Sequence, residues 1–174
     1  AAFLDVACGN GFLLADEVFD GADCAQFDHA DVRASFARGP GLTFHSTWTD
    51  VTRDAKKHGD FDVAFLWDVL RCAHTPFNEV VRVRAVARRL AIVEAVTNSR
   101  CRPRSTQSLA VIDWLRTRVL FPDRTFVHHG RYQALEDWRH LLRRANASIV
   151  TECAIPEGTL SVPGDHRLFV CDFP

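Results

Sequence analysis

Short apolar runs alternate along this chain with apolar positions at helical spacing. Ala2 to Cys8 is an apolar run closed by Gly9, and it predicts a buried strand. Phe12 to Phe19 then has helical character, with Leu13, Leu14 and Val18 on one face. Cys24 to Phe27 predicts a second short strand ending at Asp28. Asp31 can cap a helix reaching Arg38, and Gly39-Pro40-Gly41 stops it. Leu42 to Thr47 predicts a third strand. Phe61 to Trp67 is the clearest of all, because Val63, Ala64, Phe65 and Leu66 are continuously apolar. A parallel strand buried on both faces has this pattern.

From Pro76 to Arg89, the residues Phe77, Val80, Val81, Val83 and Val86 form a broad apolar stripe. The stripe predicts a helix, with Pro76 suited to its first turn. Leu90 to Val96 reads as the next strand, and the polar, arginine-rich stretch from Thr97 to Ser108 as a loop. Leu109, Ile112, Leu115 and Val119 predict a helix over about 106–120, followed by an irregular segment from Phe121 to Tyr132. Leu135, Trp138, Leu141, Leu142 and Ala145 mark another helix. Ile149 to Ile155 and Arg167 to Phe173 are the final strands, and their short separation suits an antiparallel pair. This alternation predicts an α/β domain over 1–174, with an open, mostly parallel sheet covered by helices on both faces. Ligands in such sheets bind beyond the carboxyl ends of the strands, near the point where strand order reverses.

Composition narrows the partners. The 21 basic and 22 acidic residues leave a net charge of −1. That balance carries no excess positive charge to announce a nucleic-acid or membrane partner. No apolar run approaches the roughly 20 residues of a membrane span. Cysteines stand at 8, 24, 72, 101, 153 and 171, and no pair has C-x-x-C spacing. Cys8, Cys24, Cys153 and Cys171 lie in apolar runs and are expected to be small buried hydrophobes. A reduced, cytoplasmic setting follows. Trp67, Trp114 and Trp138 are expected in the core or in helix packing.

The candidate chemistry begins at Asp5-Val6-Ala7-Cys8-Gly9-Asn10-Gly11. Glycines between a buried strand and a helix let backbone amides approach a ligand closely. A phosphate loop would need Gly-Lys-Ser/Thr at the helix start, but Phe12-Leu13-Leu14 follows. A dinucleotide fingerprint would need a third glycine where Leu14 stands. The loop therefore suits a nucleoside ligand without a phosphate chain. Asp28 follows Gly11 by 17 residues at the end of strand two, where an acid can accept from both ribose hydroxyls.

Phe3-Leu4-Asp5-Val6-Ala7-Cys8-Gly9-Asn10-Gly11 resembles the first motif of class I S-adenosylmethionine-dependent methyltransferases. Phe61-Asp62-Val63-Ala64-Phe65-Leu66-Trp67-Asp68-Val69-Leu70 is similar to that family's fourth-strand motif. The resemblance spans nearly the whole chain. It implies a Rossmann-like doubly wound sheet of seven strands in the order 3-2-1-4-5-7-6, with the last strand antiparallel. It also implies S-adenosylmethionine as cofactor and methyl transfer as the reaction. By position, Asp5 and the backbone of Ala7, Cys8, Gly9, Asn10 and Gly11 would hold the methionine end, and Asp28 the ribose. The residue after strand three, one of Trp48, Thr49 and Asp50, would meet the adenine. Asp50 would accept from the amino group, or Trp48 would stack on the ring. Asp68 would border the methyl-transfer zone.

This chain departs from the family pattern in three places. Ala7 replaces the usual first glycine. The Pro-Gly-Gly turn before strand five is missing, Ala87-Arg88-Arg89 running directly into the strand. The sequence opens on strand one, so the N-terminal cap helix is expected to lie outside it.

Methyl transfer to a hydroxyl or protonated amine also needs a base. His74, in the loop after strand four, is the first candidate; His128 and His129 are the second. No carboxylate or cysteine has ligand spacing to His128-His129, so no metal is expected. The segment 97–132 is expected to form a substrate cap. The expected activity is methylation of oxygen or nitrogen on a small molecule, with no membrane partner and with nucleic acid disfavoured. The other readings are a non-catalytic cofactor-binding or assembly domain and, behind it, an RNA methyltransferase.

Overall fold

The computed structural model describes residues 1–8, 13, 22–27, 42–97, 111, 132–156 and 165–174. Its parallel strands are β1 (Ala2–Val6), β2 (Asp23–Phe27), β3 (Leu42–His45), β4 (Phe61–Trp67) and β5 (Ala87–Thr97). Three helices are described: α1 (Trp48–His58), α2 (Pro76–Arg84) and α3 (Leu135–Arg144). The two-residue β6 (Gln133–Ala134) precedes α3, and β7 (Ser148–Ile155) and β8 (Asp165–Asp172) follow it. The sheet order is β3-β2-β1-β4-β5-β8-β7, with β6 added alongside β5. β8 runs antiparallel to both β5 and β7. The order and the reversed last strand match the doubly wound expectation. The short β6 makes eight strands in place of seven.

Alternation of side chains explains why this sheet forms. Leu4 and Val6 on β1 lie beside Ala25 and Phe27 on β2 and beside Ala64 and Leu66 on β4. Leu90 and Ile92 on β5 continue the row to Cys171 and Phe169 on β8. All of these are buried in one cluster. The helices close over it with Val51 and Ala55 of α1, Val80 and Val83 of α2, and Trp138 and Leu142 of α3. Each fully buried side chain of this size contributes about 1.5–3 kcal/mol relative to exposure.

α1 was not predicted. Thr47 caps it, accepting from the Asp50 amide at 3.2 Å, and Trp48, Val51 and Ala55 face inward. At its far end Gly59, with φ of 99°, donates its N–H to the Ala55 carbonyl at 2.9 Å. Few side chains tolerate that backbone angle, so glycine suits the exit. α2 starts at Pro76 as expected but stops at Arg84, and β5 begins at Ala87 rather than Leu90. Phe61 pairs with Ala87, so the sheet captures residues that the helical stripe claimed.

Candidate functional site

β1 to β5 run in parallel, so their carboxyl ends share one edge of the sheet. At that edge the chain leaves β1 through Ala7, whose φ is 57°, and the Cys8 amide still donates to the Phe27 carbonyl at 3.1 Å. A left-handed non-glycine residue costs roughly 1–2 kcal/mol. Alanine, with one methyl group, keeps the backbone here open to close approach. Asp5, one residue inside the edge, is buried and stands in register with Gln26 on β2 and Phe65 on β4. Phe27, at the end of β2, packs against Trp48 with ring centroids 4.7 Å apart.

The end of β4 is built differently. Asp68 also has a left-handed backbone, with φ of 56°. Its amide donates to the Val93 carbonyl at 2.8 Å, extending the ladder with β5 past Trp67. The Asp68 carboxylate pairs with Arg71, whose guanidinium also donates to the Asp68 carbonyl at 3.0 Å. The two side chains are only 11% and 7% exposed, so the pair is far less screened than a surface one. His166 of β8 brings its Nε2 to 3.6 Å from Asp68 Oδ1. Glu94 of β5 is fully buried, and its Oε1 accepts from the Leu70 amide. Burial pushes its carboxyl up to about 8, and the Asp68 charge adds to this. The Arg71 charge and the amides of Leu70 and Arg71 oppose the rise. Glu94 thus retains its proton at neutral pH.

Asp5, Ala7, Cys8, Trp48 and Asp68 all stand near this carboxyl edge, with Ala7 and Cys8 just beyond β1 rather than within a strand reaching Cys8. Asp50 lies in the first turn of α1, where Thr47 Oγ1 donates to it at 2.7 Å and Arg53 at 3.0 Å. His74 is exposed in the loop before α2. Gly9, Asn10, Gly11, Asp28, His128 and His129 lie outside the described residues, as does most of the expected cap at 97–132. Trp138 is in the core as expected, but Trp67 is 44% exposed at the strand end. Cys24 and Cys171 are buried, whereas Cys153 is exposed on the edge strand β7. Sequence reasoning missed Arg71 and His166. The available signal was an ionisable residue beside an apolar strand in each case, Arg71 soon after Phe61 to Trp67 and His166 just before Arg167 to Phe173.

This sheet order with its reversed last strand defines a class: the fold of S-adenosylmethionine-dependent class I methyltransferases. Solved structures make the likeness specific. A methyltransferase-like protein from Bacillus halodurans superposes with a TM-score of 0.71 at 13% identity, covering 99% of this chain and 92% of that one. An O-methyltransferase family 2 protein from Planctomyces limnophilus, in complex with apigenin, gives 0.65 at 19% identity. That match covers 99% of this chain and 50% of the other, so this chain spans half of its length. Magnesium protoporphyrin IX methyltransferase from Synechocystis, with bound SAH, gives 0.60 at 18% identity, covering 99% and 74%. No family model and no curated protein matches the sequence.

Proposed function

We propose that this chain transfers a methyl group from S-adenosylmethionine to an oxygen or nitrogen of a small-molecule acceptor. The observation that carries the reading is the left-handed Ala7 turn beside the buried Asp5 carboxylate, on a sheet of methyltransferase order. A turn bearing one methyl group and a nearby buried carboxylate suits a ligand that presents an ammonium group close to backbone.

The cofactor, when bound, supplies an electrophilic methyl group. The chain's own residues then orient, enclose and accept a proton. Asp5, with the backbone of Ala7, Cys8, Gly9, Asn10 and Gly11, holds the amino-acid end. Asp28 accepts from the ribose hydroxyls, and Trp48 and Asp50 flank the base. Asp68 borders the reacting end, where alignment of donor and acceptor lowers the barrier. His74, His128 or His129 accepts the acceptor's proton. The free thiols at Cys8, Cys24, Cys72, Cys153 and Cys171 support a reduced, cytoplasmic setting. No helix among the described residues is long and apolar enough to cross a membrane. The net charge of −1 supports a small acceptor over nucleic acid.

Thermal unfolding with and without S-adenosylmethionine and S-adenosylhomocysteine tests the cofactor. A ligand that binds only the folded state raises the melting temperature, and no shift with either would refute the assignment. Asp28→Ala should weaken S-adenosylhomocysteine binding by about tenfold or more, the worth of a charge-assisted hydrogen bond. Calorimetry reads this directly, and unchanged affinity would remove Asp28 from the site. A thermal shift with no turnover over a broad acceptor panel would favour a cofactor-binding module.

A further inference from the structure

We propose that Glu94 is a positioning residue for the methyl-transfer end of the site: from inside β5 it anchors the turn after β4 and so fixes where Asp68 stands. The inference rests on the methyltransferase reading above, and adds to it a residue that acts through the turn.

Glu94 falls on the face of β5 that carries Leu90 and Ile92, both in the core. An apolar side chain would continue that row. A carboxyl there costs free energy unless it is hydrogen-bonded. Its Oε1 takes the Leu70 amide, 24 residues earlier in the chain, and the Arg71 amide also acts on it. Leu70 itself is fully buried, so its amide needs a partner from the protein. No apolar residue at position 94 would supply one.

The turn so held is the one that strains Asp68. A left-handed aspartate persists only where its surroundings hold it. On one side the Asp68 amide is tied to the Val93 carbonyl at 2.8 Å. On the other, Arg71 spans back to the Asp68 carbonyl and carboxylate. Glu94 fixes Leu70 and Arg71, and so the base from which Arg71 reaches. Adjacent residues of β5, Val93 and Glu94, therefore grip the two ends of the Asp68–Arg71 turn. The titratable and charged groups around Glu94 are Asp68 and Arg71 from the turn, its β8 register partner Arg167, and the His166 imidazole beside that.

The test uses the full chain and S-adenosylhomocysteine as probe. Binding is measured by calorimetry and the Leu70 amide by hydrogen exchange, in wild type, Glu94→Gln, Glu94→Leu and Glu94→Ala. Glu94→Gln keeps an acceptor oxygen and should retain both affinity and amide protection. Glu94→Leu fills the volume but leaves the buried Leu70 amide without its acceptor, so its melting temperature should fall, though less than that of Glu94→Ala. It should also lose Leu70 protection and weaken binding about tenfold, the worth of one buried hydrogen bond. Glu94→Ala should do the same with added destabilisation. A merely structural Glu94 would be rescued by leucine, so wild-type affinity in Glu94→Leu would overturn the proposal, as would a Leu70 amide still protected in that variant. If wild type itself fails to bind the probe, the cofactor reading falls and takes this inference with it. Equal binding by wild type, Gln and Leu variants removes the inference alone.

Discussion

The two halves of the sheet are made for different tasks. β1, β2 and β3 span five, five and four residues, and each delivers the chain to the carboxyl edge. That half leaves β1 through the left-handed Ala7 and carries the Phe27–Trp48 contact. On the other side, β5, β7 and β8 span eleven, eight and eight residues and pair antiparallel. Their ends are tied by exposed ion pairs such as Arg89 to Asp172, and Arg139 of α3 reaches Glu152 of β7 at 2.7 Å. β4 and β5 meet at the seam, where the buried Arg71, Glu94 and His166 gather around the half-buried Asp68. Long antiparallel ladders provide the anchorage, and strained turns on short parallel strands provide the openings for a ligand.

The largest effect should come from removing the anchor of the antiparallel half. Trp138 is 1% exposed, and its indole N–H donates to the Ala95 carbonyl at 3.2 Å. Trp138→Ala should cost about 3–5 kcal/mol, enough to unfold a marginal domain. Denaturant unfolding measures it, and a loss below about 1 kcal/mol would break the contrast between the halves.

The next effect lies at the seam and depends on pH. Burial raises the Glu94 carboxyl from its ordinary 4.5 to about 8, so the folded chain holds this proton more tightly than the unfolded one. The stability it contributes is fully present below about 4.5 and is lost as pH rises through about 8. Melting temperature should therefore fall across that window, and Glu94→Gln should flatten that part of the profile. A profile identical in both would place the titration elsewhere.

A smaller change should follow Ala7→Gly. Relief of the left-handed backbone and the greater freedom of glycine in the unfolded chain oppose each other, leaving a net gain of up to about 1 kcal/mol. Ala7→Val should instead destabilise and weaken S-adenosylhomocysteine binding, because a branched side chain tolerates φ of 57° poorly. The smallest effect should be that of Arg89→Ala. Its partner Asp172, held below the usual carboxylate range by this guanidinium, is open to solvent, so melting temperature should scarcely move. A large loss would make exposed pairs, rather than Trp138, the anchor of the antiparallel half.

Much of the parallel half was legible along the chain. The continuous apolar run of β4 has one stable solution, a strand covered on both faces, and the structure adopts it. The apolar runs put Ala7 and Cys8 at the end of the first strand and Asp68 just past the fourth, while the roles of Asp5 and Asp68 came from the family resemblance. α1 escaped because Trp48, Val51 and Ala55 are its few inward apolar positions, set among Thr, Asp, Arg and Lys. Their helical spacing and the Thr47 cap were nevertheless present to be read. β6, at two residues, is too short to carry a period.

Local pattern by itself determined the alternation of strands and helices, the candidate ligand edge and its first acidic and small residues. These depend on which side chains shun water at a period of two or 3.6. The start of β5 and the buried group at the seam were decided only by tertiary structure. Glu94 reaches the turn after β4 because β5 pairs with β4 in one parallel register, and His166 reaches Asp68 because β8 pairs with β5 in one antiparallel register; no local rule encodes either. The same burial that closes the core sets the charge of Glu94, since the proton is held by surroundings drawn from distant parts of the chain.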